Sequence, residues 1–167
     1  SGDEYDDKHV EIYELNVPES PKAGEDVHLK CKFRLTPDDH RLRTVSWWRD
    51  KDQFFTYKTG IDNPKLIYSF PGIQVQKNES NEESVLLRDV SERTSGEFKC
   101  EVMGEGPVFK TVVKIKKMEV IVPPRTHRIH TTSSKPYYDH GDEIHLNCTA
   151  TESKPRALLS WTVNGKQ

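Results

Sequence analysis

Two cysteines and one tryptophan limit what this chain can fold into. Cys31 lies in the alternating run Val27-His-Leu-Lys-Cys-Lys-Phe33, Trp47 follows sixteen residues later in Val45-Ser-Trp-Trp-Arg49, and Cys100 closes Thr94-Ser-Gly-Glu-Phe-Lys-Cys100. Each sits in a period-2 run, and strand side chains alternate between the two faces of a sheet, so all three can point into one core. Sulfurs on two facing sheets meet across the roughly 10 Å that separates packed sheets, and a tryptophan on a further strand packs against the bridge. A Cys31–Cys100 disulfide across a two-sheet sandwich is therefore expected.

Cysteine, tryptophan and cysteine in that order, each in an alternating run, are the signature of an immunoglobulin sandwich. The fold class is all-β, with a variable-type first domain over residues 8–117 and the N-terminal part of a second immunoglobulin domain over residues 118–167. Only 33% of the 167 residues are hydrophobic, and no apolar run reaches membrane-spanning length. A net charge of −2 argues against nucleic acid as a partner, because phosphate binding needs a concentrated basic surface. Cysteines in a two-sheet context, with acceptor sequons at Asn78-Glu-Ser80 and Asn147-Cys-Thr149, point to an oxidising compartment and an extracellular location, secreted or tethered to the cell surface. Three cysteines leave Cys148 over, and its partner is expected beyond Gln167.

Along the chain, Val10, Ile12, Leu15 and Val17 mark a first strand, and Val27, Leu29, Cys31 and Phe33 share the inner face of a second. Val45 and Trp47 point inward, which turns Ser46 and Trp48 outward. Gln53-Phe-Phe-Thr-Tyr57 is an additional strand; if Phe54 faces the core, Phe55 and Tyr57 share the side of Trp48, and a slip of one residue exchanges these roles. Residues 60–71 read as irregular, and Ile73 with Val75 as a further strand. In Thr94-Ser-Gly-Glu-Phe-Lys-Cys100, Thr94 stands for the usual acid and Phe98 for the usual tyrosine. Packing of Phe98 is then expected to hold a corner that a tyrosine hydroxyl commonly ties. Val102 points inward, with Lys99, Glu101 and Met103 outward, and a last strand follows with Val108 and Lys110 on the outward side. Gly141-Asp-Glu-Ile-His-Leu-Asn-Cys148 and Leu159-Ser-Trp161 repeat the cysteine-then-tryptophan grammar of the first domain.

Catalytic signatures are missing: the sequence contains no Gly-x-Ser-x-Gly, no phosphate loop and no His-Glu-x-x-His, so a non-enzymatic protein without cofactor or metal is expected. The outward face of the variable-type sheet carries the functional reading. Trp48, Phe55, Tyr57, Met103 and Val108 are large apolar groups placed there by the alternation, bordered by Lys99, Glu101 and Lys110. An apolar centre with a charged border is how protein interfaces are composed. The partner class is another ectodomain, or a second copy of this chain. Lys110, Lys114, Lys116 and Lys117 are a rival surface for a sulfated glycosaminoglycan, although lysines on edge strands commonly discourage aggregation.

Val45-Ser-Trp-Trp-Arg49, Gln53-Phe-Phe-Thr-Tyr57, Phe70-Pro-Gly-Ile-Gln-Val75 and Ser95-Gly-Glu-Phe-Lys-Cys-Glu-Val102 together resemble the first domain of the Beaten path (Beat) family of insect neuronal proteins. Met118-Glu-Val-Ile-Val-Pro-Pro124, Asn147-Cys-Thr149 and Ser153-Lys-Pro155 with Trp161 and Asn164-Gly165 are similar to that family's second domain. The resemblance implies a two-immunoglobulin-domain protein that binds Sidestep-family receptors in axon guidance and synaptic partner matching. It also implies that the first domain makes the contact, through the sheet just described.

Overall fold

The computed structural model describes residues 10–35, 41–105, 110–131 and 135–167. Val108, named above, lies outside them. The chain divides into two compact units between Val120 and Ile121.

Among the described residues the first unit contains eight strands: β1 (Val10–Asn16), β2 (Val27–Leu35), β3 (Arg41–Arg49), β4 (Asp52–Lys58), β5 (Lys65–Ile67), β6 (Ser84–Leu87), β7 (Gly96–Glu105) and β8 (Thr111–Met118). They form a three-stranded sheet, β1-β2-β6, and a five-stranded sheet, β5-β4-β3-β7-β8. Both are antiparallel. Two strands, β4 and β5, extend the larger sheet beyond β3, which is the variable-type addition. Of these, β5 falls in a stretch that the sequence presents as irregular, because three residues are too few to show an alternation. The expected strand at Ile73 and Val75 is reduced to single bridges, Phe70 to Ile73 and Val75 to Leu87.

Alternation builds the core as expected in β2, where Val27, Leu29 and Cys31 are buried while His28 and Lys30 are exposed. Cys31 and Cys100 are joined across the sandwich. Trp47 lies directly across the β3–β7 ladder from Cys100 and is fully buried. The core extends past Lys117, since Met118 and Val120 are buried in it and the Val120 N–H donates to Ser95 Oγ at 2.9 Å.

The corner before β7 is held by more than packing. Phe98 is buried and meets Phe54 edge to face, with ring centroids 6.0 Å apart. In addition, the buried Thr94 hydroxyl donates to the Gly72 carbonyl at 2.6 Å and accepts from the Ser91 N–H at 2.9 Å. Arg49, only 7% exposed, completes this end of the sandwich. Its Nη1 donates to the carbonyls of Pro71, at 3.2 Å, and Arg93, and its Nη2 contacts Asp52 Oδ2 at 3.2 Å. Gly72 is required here: its φ is +80°, and a Cβ would come within 2.5 Å of the Arg93 carbonyl carbon.

Among its described residues the second unit contains one antiparallel pair of strands, β9 (Thr126–Thr131) and β10 (Leu146–Thr151), with Cys148 opposite Ile129. Cys148 is half-buried with a free thiol, beside a cavity of about 550 Å³ lined by Ala150, Ala157, Leu158 and Leu159 among others. Around Trp161 the expected strand amounts to one bridge, Val163 to Lys166, closing the Asn164-Gly165 turn.

Candidate recognition face

The solvent side of the five-stranded sheet follows from its cross-strand register. Side chains paired across an antiparallel ladder share a face, about 5 Å apart at Cβ. Three rows cross the sheet. The first runs Gln53, Trp48, Lys99, Ile115; the second Leu66, Thr56, Ser46, Glu101, Val113; the third Lys58, Thr44, Met103, Thr111.

The floor of the face is polar and covered. Ser46 and Thr56 are buried although they point away from the core, and their hydroxyls lie 3.2 Å apart. Gln53 Nε2 donates to Thr56 Oγ1 at 2.6 Å. The outward tryptophan is explained by its neighbour, since Lys99 Nζ sits 4.4 Å from the centroid of the Trp48 ring. This cation–π contact fixes a half-buried aromatic beneath an aliphatic stem. Exposed apolar groups stand at both ends: Ile115 at 57% and Val113 at 44% on β8, and Leu66 at 37% on β5.

Trp48, Lys99, Glu101 and Met103 therefore share the outward face. Phe55 and Tyr57 do not. A register shift between Trp47 and Trp48 pairs Trp47 with Phe55 and Trp48 with Gln53, leaving Phe54 as the extra residue. Such a bulge puts two successive residues of one strand against the core, and Phe54 and Phe55 are both fully buried while Tyr57, opposite Val45, packs against the core. The register of the last strand also differs from expectation. Val112 pairs with inward Val102, which turns Val113 and Ile115 out and brings Lys110, whose carbonyl accepts from Gly104 N–H at 3.0 Å, to the core side. Val108 lies outside the described residues. The residues that the alternation missed are thus Val113, Ile115 and Leu66.

Of the four lysines of the rival surface, Lys117 is set apart from the others by the register of β8. Lys114 and Lys116 lie opposite the inward residues Cys100 and Phe98, whereas Lys117 lies opposite Glu97 on the other side of the strand. Both sequon asparagines, Asn78 and Asn147, are exposed. Among the described residues no group of three or more His, Cys, Asp or Glu side chains is placed to hold a metal ion.

The immunoglobulin domain family matches residues 20–112, more than half of the chain. The chain belongs to the immunoglobulin domain family. Its sequence is 31% identical over 146 residues to cell adhesion molecule 1 of Mus musculus, an alignment that covers 86% of this immunoglobulin chain. The chain spans only 28% of that relative's length. Among solved structures, murine CEACAM1b superposes with a TM-score of 0.58 at 19% identity, covering 86% of this chain and 68% of that one. The amphioxus IgVJ-C2 molecule gives 0.55 at 20% identity, with 81% and 71% covered. At such identities these two likenesses establish the immunoglobulin fold.

Proposed function

We propose that this immunoglobulin chain is the recognition part of an extracellular or cell-surface protein that binds another immunoglobulin ectodomain through the outward face of β5-β4-β3-β7-β8. The observation that carries this reading is the placement of Ile115, Val113 and Leu66, three exposed apolar side chains, around the Lys99-covered Trp48 on one face. Exposed apolar groups grouped with aromatic anchors and bordered by charge are what a binding surface requires, whereas a solvated sheet face alternates to polar residues. The adhesion protein among its relatives supports the same class of activity. The resemblance to the Beat family narrows the partner to Sidestep-family receptors and the setting to axon guidance and synaptic partner matching.

The test is binding of the chain to a panel of Sidestep ectodomains, alone and as Ile115→Asp and Trp48→Asp. Capture of a panel member that both substitutions abolish, with the fold intact by circular dichroism, supports the assignment. Capture that neither substitution weakens refutes the face. No capture, with dimers at micromolar concentration by light scattering, assigns the face to homophilic pairing. Salt-sensitive heparin retention lost on neutralising Lys110 and Lys114 would instead make this a matrix-binding protein.

A further inference from the structure

The Asn78-Glu-Ser80 sequon is split between surface and interior. Asn78 is exposed in the short 3-10 turn Lys77–Glu79, but Ser80 is only 2% exposed. Its Oγ donates to the Gln76 carbonyl at 2.7 Å and accepts from the Leu86 N–H at 3.1 Å. A hydroxyl has one proton to donate, so its donor role and one of its two acceptor positions are taken up by the fold. Leu86 is itself buried in β6 and pairs with His28 of β2, and its carbonyl accepts from the Gln76 N–H at 2.9 Å. Freeing the hydroxyl therefore means detaching the outer edge of β6 from the segment that precedes it. An acceptor sequon is defined by its hydroxyl as much as by its amide.

We infer that Asn78 carries an N-linked glycan that is installed only before the first domain closes, and that the folded domain is no longer an acceptor there. This deepens the extracellular reading and rests on it. In the transfer, the Asn78 side-chain nitrogen forms a bond to the anomeric carbon of a lipid-pyrophosphate-linked oligosaccharide. The carbon–oxygen bond to the pyrophosphate breaks, the lipid pyrophosphate leaves with the electron pair, and one amide proton passes to a base of the transferase. Ser80 then serves twice: its hydroxyl is read by the transferase while the chain is open, and it pins Gln76 to Leu86 once the chain is closed. The glycan would flank the free edge of β5, because Lys65 Nζ of that strand donates to the Lys77 carbonyl at 3.0 Å. That leaves the β7–β8 half of the recognition face, with Val113 and Ile115, open.

The full chain, made without glycans, is incubated with oligosaccharyltransferase membranes and lipid-linked oligosaccharide, either folded or reduced and unfolded. A short acceptor peptide shares the tube, and Asn78 occupancy is read by glycopeptide mass spectrometry. Occupancy in the unfolded chain, lost in the folded one while the peptide is modified in both tubes, supports the inference. Equal occupancy in both overturns the order of events. No occupancy in either overturns Asn78 as an acceptor, without touching the recognition face. In secreting cells Asn78→Gln should lose the glycan and keep the melting temperature, whereas Ser80→Ala should lose the glycan and melt lower. An unchanged melting temperature in Ser80→Ala would contradict the second role given to this serine.

Discussion

Replacing Arg49 by methionine isolates what the guanidinium does at the closed end of the first domain, since methionine keeps most of the stem and removes every donor. Arg49 ties three segments that are far apart in sequence: the end of β3, the Pro71 carbonyl and the Arg93 carbonyl. Its contact with Asp52 is a lesser part, because that carboxylate is 41% exposed and solvates itself when released. Leaving two part-buried carbonyls without the donor that Arg49 supplies costs about 1–2 kcal/mol each, so Arg49→Met should destabilise the domain by roughly 2–4 kcal/mol. For a domain of this size that lowers the melting temperature by about 10–20 °C. The companion Asp52→Asn removes only the exposed ion pair and should cost less than about 1 kcal/mol. Both are measured by thermal and urea unfolding followed by circular dichroism and tryptophan fluorescence. If Arg49→Met melts within a few degrees of the parent, or if Asp52→Asn is equally damaging, the reasoning that the carbonyls dominate is wrong.

Thr94→Val keeps the volume and removes the bonds to Gly72 and Ser91, so a loss of about 2–3 kcal/mol is expected in urea titration. Gly72→Ala at φ +80°, with a Cβ driven against the Arg93 backbone, should cost about 2 kcal/mol or more by the same measurement. Removing the Cys31–Cys100 bond as a double serine variant releases a loop with a sequence separation of 69, worth about 4 kcal/mol on loop-closure entropy, and is read as a lower unfolding midpoint. Phe55→Asp buries a charge in the core and should abolish folding, whereas Trp48→Asp should leave the circular dichroism spectrum unchanged.

Much of the sandwich was legible because its signal is local. Cys31, Trp47 and Cys100 each sit in runs where every second residue is apolar, and alternation together with sheet spacing fixes their common side. The site was legible only in part, because alternation says which residues share a face but not where the alternation breaks. Nothing in Gln53-Phe-Phe-Thr-Tyr57 marks Phe54 as the extra residue of a bulge, and that one residue moved Phe55 and Tyr57 from the outer face to the inner. The adjacent pair Val112-Val113 offers two equally apolar registers for β8, and only pairing with Val102 of β7 decides between them. The tie at Thr94 did leave a signal, since a residue other than the usual acid at that position asks what its hydroxyl bonds. Arg49 left none for its ties to Pro71 and Arg93, because those partners are backbone carbonyls.

The sidedness of recognition is tested most directly by two aspartate substitutions of comparably exposed residues on opposite sheets. Ile115 is 57% exposed on β8, and Tyr13 is 47% exposed on β1, where Arg34 lies over its ring. Affinity for a captured immunoglobulin ectodomain, measured by biosensor titration, should fall roughly 30-fold or more for Ile115→Asp, as for an interface anchor, and stay within about twofold for Tyr13→Asp. Equal affinities for the two variants, or the larger loss in Tyr13→Asp, would place recognition on some other surface.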